Sequence, residues 1–179
     1  TADIASKFAG IQYNILMNRG ETYLYGDNNH DGVDRDLSGS TILSDKPIGV
    51  TVSNSRTLIP VSIMAANPVV EQLPPTITWG REFLSMPFAA RANGDTFRFM
   101  AKEDNTTIWI NGSAVAVLNA GQFHEQILVN PSKITSSNAI LAMQFANGND
   151  FDPGLPYGDP TMMLLVPTRQ FMDKYVVYT

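Results

Sequence analysis

Two stretches of this chain, 92 residues apart, carry related sequence in the same order. Ser40–Phe83 lies over Ser132–Tyr175 without a gap. Ser40 falls on Ser132, Ile42 on Ile134, Ser44 on Ser136 and Ile48 on Ile140. Further along, Pro68 falls on Pro160, Leu73 on Leu165, Pro75 on Pro167 and Thr76 on Thr168. Trp79 meets Phe171, and Phe83 meets Tyr175. A fixed offset of this kind marks one structural unit written twice. What two copies share is mostly scaffold, whereas chemistry built on one special constellation belongs to one copy only.

The match extends backwards with a change of offset. Leu16-Met17-Asn18-Arg19-Gly20-Glu21 resembles Val117-Leu118-Asn119-Ala120-Gly121-Gln122, now 101 residues apart. The first copy therefore carries a nine-residue insertion between Gly20 and Ser40, which Gly26–Asp34 fills. Upstream, the first copy runs short. The second copy has a strand pair, Thr96–Ile110, for which residues 1–15 offer only partial cover. Either Ala2–Ile15 replaces that pair in another form, or the first unit lacks a strand.

The local pattern is all-β. Charged residues are only 16%, and short apolar runs are bounded by Gly, Pro, Ser, Thr and Asn. Asn111-Gly112 between Ile108–Ile110 and Ser113–Val117 predicts a hairpin, because that pair tolerates the positive φ of a type I′ turn. Asn93-Gly94 predicts a second hairpin within Phe88–Phe99. Thr96–Phe99 alternates like a half-buried strand. Ile140–Phe145 is nearly all apolar and reads as a strand buried on both faces. The best helix candidate, Ala2–Ala9, is weak. The expected architecture is two tandem, jelly-roll-like β-sandwich units, residues 1–88 and 89–179.

Several function classes recede at once. The net charge is −5, which makes the chain a poor candidate for non-specific nucleic-acid binding or for anionic membrane surfaces. It has no cysteine, which excludes disulfides and thiolate metal sites. No apolar run reaches the roughly 18–20 residues of a membrane span. No signal peptide is seen, and the start at Thr1 reads as a processed or trimmed end.

The insertion holds the sharpest candidate site. Asp27, Asn29 and Asp31 stand at positions 1, 3 and 5 of a calcium-type loop, with Gly32 at the turn. Val33 would donate its carbonyl, and Asp34 or Asp36 would close the shell, since Ser38 replaces the bidentate Glu of an EF-hand. A structural calcium ion is the expected cofactor. The alternative is a polar loop whose Asx side chains bond their own backbone.

The remaining candidates are weaker. Two histidines, His30 and His124, are the whole supply. Glu125 follows His124, but neighbours on a strand face opposite ways, so a triad is not formed there. No Gly-x-Ser-x-Gly elbow is present. Glu103-Asp104 reads as a solvated turn rather than the two carboxylates of a glycosidase. Asp150, Asp152 and Asp159 read as an ordinary long loop. Asn105 and Asn111 lie in glycosylation sequons. Trp79, Trp109 and Met162-Met163 read as core.

An ordered set of segments points to a family. Ser44–Val50 is followed by Glu71–Pro75, Thr78–Phe83, Ala101–Ile108, Leu118–Phe123, Gly158–Met162 and Pro167–Gln170. In this order and spacing they resemble the N-terminal domain family of IgG-Fc-binding protein. The resemblance implies a non-enzymatic, extracellular or surface-associated module without catalytic residues. The absence of cysteine favours a bacterial or phage relative. The expected function is adhesion or recognition of a glycan or protein ligand through loops. The alternative is a structural subunit of a surface filament, fibre or virion assembled by strand exchange, with a homo-oligomer as its product. A carbohydrate-active enzyme comes last.

Overall fold

The structure, a computed structural model, describes residues 10–26, 36–152, 154 and 158–177. Among these residues it is mostly strand: β1 (Val50–Leu58), β2 (Ala66–Leu73), β3 (Gly80–Ser85), β4 (Asp95–Ala101), β5 (Thr106–Ile110), β6 (Ser113–Leu118), β7 (Phe123–Leu128), β8 (Ser132–Ala146) and β9 (Thr161–Leu164). Helical structure is confined to three short 3-10 turns, Thr76–Thr78, Asn149–Phe151 and Thr168–Gln170. The all-β reading holds, with sheets packed over apolar clusters. The candidate helix Ala2–Ala9 lies outside the described residues.

The chain divides into two compact units, Thr1–Ser40 and Thr41–Thr179. In the first, the described residues form no strand. They include a well-built turn at Asn18–Glu21. The Asn18 amide donates to a Glu21 carboxylate oxygen at 2.7 Å, and the Glu21 amide donates to the Asn18 carbonyl at 3.1 Å. Gly20 supplies the positive φ of 86° that the turn needs. The turn matched to it by sequence, in the other unit, has the same bonds. The Asn119 amide donates to the Gln122 side chain at 2.8 Å, the Gln122 amide to the Asn119 carbonyl at 3.0 Å, and Gly121 has φ 77°.

The second unit is organised by β8, which is 15 residues long. Its first half is flanked by β5 and β3, paired at Ile134 with Ile110 and with Phe83. Its second half is flanked by β4 and β9, with Met143 opposite Arg98 and Leu164. β7 extends the sheet beyond β4, and β6 extends it beyond β5. The two halves close over one apolar cluster that includes Phe83, Phe97, Phe99, Ile108, Ile134 and Ile140. These six side chains are at most 1% exposed, so each contributes about 1.5–3 kcal/mol of burial. Residues on both sides of position 88 thus share one sheet, since β3 pairs with β8.

Because β8 has neighbours on both edges and packing on both faces, Ile140–Phe145 is buried throughout, as its apolar run predicts. Leu141, Met143 and Phe145 point away from the first cluster into a second one. There they meet Ile59, with Leu73, Trp79, Met100, Met162 and Leu164 packed around them. Met163, expected in the core, is instead 39% exposed because it alternates with Met162 on a strand.

β1 and β2 form a separate two-stranded sheet. Its register reproduces that of β8 and β9. Thr51, Val52, Ser53 and Asn54 pair with Gln72, Glu71, Val70 and Val69. Met143, Gln144, Phe145 and Ala146 pair with Leu164, Met163, Met162 and Thr161, each residue displaced by 92.

The two predicted hairpins fare differently. Asn111 and Gly112 take φ values of 50° and 84° and join β5 to β6, as their chemistry requires. Asn93-Gly94 does not join paired strands: β3 pairs with β8, not with β4. Gly94 has φ 77° and lies so close to Leu128 and Val129 that a Cβ would overlap their backbone. A close approach, rather than a hairpin bend, requires the glycine.

Candidate functional site: a groove beside Trp79

Two matched 3-10 turns build a cleft in the unit Thr41–Thr179. Pro75 and Pro167 precede them with φ of −63° and −62°, close to the value the pyrrolidine ring imposes. Each turn closes with an amide donating back to its proline carbonyl: Thr78 to Pro75 and Gln170 to Pro167, both at 2.9 Å. The turns then bond each other. Arg169 donates to the carbonyl of Trp79 at 2.6 Å, and Gln170 donates to that of Thr78 at 2.6 Å. Gly80 lies against Pro167 so tightly that a Cβ would overlap the ring.

The resulting groove encloses about 400 Å³. Ile77, Trp79 and Pro167 supply apolar wall, and Arg81, Glu82, Lys102, Glu103 and Arg169 supply charge of both signs. Glu82 is held below the ordinary carboxylate value, chiefly by the hydrogen bond from Lys133 at 2.7 Å, against a smaller opposing effect of burial. Thr168 donates to the same carboxylate at 3.3 Å. An aromatic edge with fixed charges and backbone carbonyls suits recognition of a polar surface.

Other candidate residues are dispersed. Asp27, Asn29, Asp31, Val33 and Asp34 lie outside the described residues. Asp36 is described, and one of its carboxylate oxygens accepts the Ser38 amide at 2.9 Å, an Asx turn. His124 contacts the Gln126 side chain at 3.2 Å, while Glu125 pairs with Arg98 at 2.8 Å. Asp104 caps the turn opposite by accepting the Ala120 amide at 2.9 Å. The Asn111 side chain bonds the Lys133 amide at 2.9 Å and Ser132 at 3.2 Å. Among the described residues no cluster of three or more His, Asp or Glu side chains forms a metal site.

Asp152 is not a solvated loop acid. It is 2% exposed and ion-paired with Arg91 at 3.1 Å, and it accepts the Asn93 amide at 2.8 Å. Arg91 also donates to the Asn147 carbonyl. Asn147 accepts from Thr96 at 2.6 Å and donates to the Gly94 carbonyl at 3.0 Å. Nearby, Asp95 accepts from the Phe88 amide at 2.6 Å and Gln144 at 2.9 Å. Burial raises the Asp95 carboxyl above its ordinary value, opposed by those two hydrogen bonds. This network ties the chain before β4 to the chain after β8. Its partners are too distant in sequence for any local motif to announce it.

The fold is all-β with packed sheets, and the groove is a shallow cleft lined by charges of both signs. The chain belongs to the IgGFc binding protein family, whose family model matches residues 1–179. A search of curated proteins and of solved structures returns no match. No helix among the described residues is long and apolar enough to cross a membrane.

Proposed function

We propose that the protein is a non-enzymatic, extracellular recognition module that binds a protein ligand through the groove beside Trp79. The observation that carries this reading is membership of a family described by what it binds. The groove supports it chemically. Trp79 offers an aromatic surface, and aromatic and Arg side chains are the groups that dominate protein interfaces. The ligand is a folded protein surface with complementary charges, and glycans on that surface are accessory.

The test immobilises immunoglobulin Fc fragment and a panel of extracellular glycoproteins before and after enzymatic deglycosylation. Saturable binding that survives deglycosylation and falls at least tenfold in Arg81→Ala supports the reading. Binding that is abolished by deglycosylation, or unaffected by Arg81→Ala and Lys102→Ala together, refutes it. Turnover of ester, peptide or glycoside substrates would also overturn it.

A further inference from the structure

We infer that residues 174–176 are a donor strand that pairs antiparallel with residues 41–43 of a second copy of this chain. The template lies inside the molecule. β3 runs antiparallel to the first half of β8, with Glu82 opposite Thr135, Phe83 opposite Ile134 and Leu84 opposite Lys133. The offset of 92 carries the β3 residues to Lys174, Tyr175 and Val176, and their partners to Leu43, Ile42 and Thr41. The same register is thus written a second time, in two segments that belong to no strand among the described residues.

Burial separates the made pair from the unmade one. Phe83 and Ile134 are 1% and 0% exposed, whereas Tyr175 and Ile42 are 57% and 60% exposed. Val176 and Leu43 beside them are more exposed still. Both halves of one apolar contact therefore stand in water on the same molecule. Pairing removes that surface from water and gives two bare backbones their partners.

The side chains permit it. Tyr175-Val176-Val177 is a run of strong strand formers. In the template Lys133 reaches Glu82 at 2.7 Å; Thr41 and Lys174 stand at those places, so no like charges meet. Thr168 donates to the Glu82 carbonyl at 3.4 Å, and its counterpart beside the acceptor is again a threonine, Thr76. The Tyr175 hydroxyl now accepts the Met172 amide at 2.9 Å, an exposed bond that pairing exchanges for ladder bonds. Met172 departs from the template. It stands at the place of Gly80, where a Cβ would overlap Pro167, whose counterpart is Pro75. Pairing therefore begins at Lys174, past the irregularity that β3 shows between Gly80 and Glu82.

The order along the chain selects a second copy. β3 precedes the strand that it completes, whereas Tyr175 follows Ile42 and is not paired with it. Keeping the template's order sends the donor into another molecule, and reciprocal exchange between two copies closes a dimer. Neither segment lines the groove, so the inference stands whether or not a ligand is found there.

The chain has no cysteine, so introduced thiols trap the pairing without interference. Ile42→Cys is mixed with a mass-tagged Tyr175→Cys and oxidised; directly opposite residues lie within disulfide reach. The control mixes Leu43→Cys with Tyr175→Cys, whose side chains face opposite ways in the inferred ladder. The expected result is a mixed disulfide that forms at least tenfold faster than in the control. The unaltered chain should sediment as a dimer and Tyr175→Asp as a monomer, with tryptophan fluorescence reporting that both are folded. Equal rates in the two mixtures overturn the inference. So does a monomeric unaltered chain, or a chain carrying both Ile42→Cys and Tyr175→Cys that closes its disulfide within one molecule.

Discussion

Arg91→Ala tests the polar network that closes one end of the larger unit. The Arg91 and Asp152 side chains are 6% and 2% exposed, so water does not screen their 3.1 Å pair. Removing the guanidinium deletes that pair and the bond to the Asn147 carbonyl. It leaves the Asp152 carboxylate buried, with the Asn93 amide still donating to it at 2.8 Å. Breaking a buried pair from one side costs about 3–5 kcal/mol, because an uncompensated charge is left behind. With a urea slope of about 2 kcal/mol/M, the unfolding midpoint should fall by roughly 2 M. The assay is urea unfolding of wild type, Arg91→Ala, Asp152→Asn and the double variant. The double variant should lose less than the sum of the singles, since it has no orphaned charge. A loss below about 1 kcal/mol for Arg91→Ala would place the pair with ordinary surface ion pairs and refute the reasoning.

Three further outcomes are expected, two from the geometry and one from the sequence of the Asp27–Asp36 segment. Burial raises the Asp95 carboxyl, so its charge opposes folding; that penalty grows as pH rises from the ordinary carboxylate value through the raised one, and is complete above it. Asp95→Asn should flatten the fall in stability that begins as pH rises past the ordinary carboxylate value, and an unchanged pH slope in thermal melts would contradict it. Gly80→Ala forces a methyl into Pro167 and should cost about 1–3 kcal/mol by overpacking, whereas an unchanged melting temperature would show that the turns separate freely. The Asp27–Asp36 loop, with its alternating oxygen ligands, should bind calcium in calorimetry, and no heat at about 1 mM calcium would leave it a plain polar loop.

What could be read in the sequence was local or periodic. The offset of 92 between Ile48 and Ile140 was visible because matched positions need no knowledge of contacts. Asn111-Gly112 announced its turn because the φ requirement lies in two adjacent residues. Ile140–Phe145 announced its burial because a strand covered on both faces has no polar period. Asn93-Gly94 misled for the complementary reason: its glycine answers a contact with Leu128 and Val129, which sequence proximity does not reveal. The groove was missed because Arg169 acts there through the carbonyls of Ile77 and Trp79, and backbone acceptors have no sequence signature. Trp79, read as core, is half-buried, serving the second cluster on one side and the groove on the other.

Hydrogen exchange on the unaltered chain tests most directly whether one register stands in two states of completion. The account predicts that amides of Ile140–Phe145 exchange at the rate of global unfolding, while those of Val50–Asn54 exchange at least a hundredfold faster, because β8 is flanked on both edges whereas, among the described residues, β1 pairs with β2 alone. Equal protection of the two segments would contradict it, for β1 would then be as fully flanked as β8.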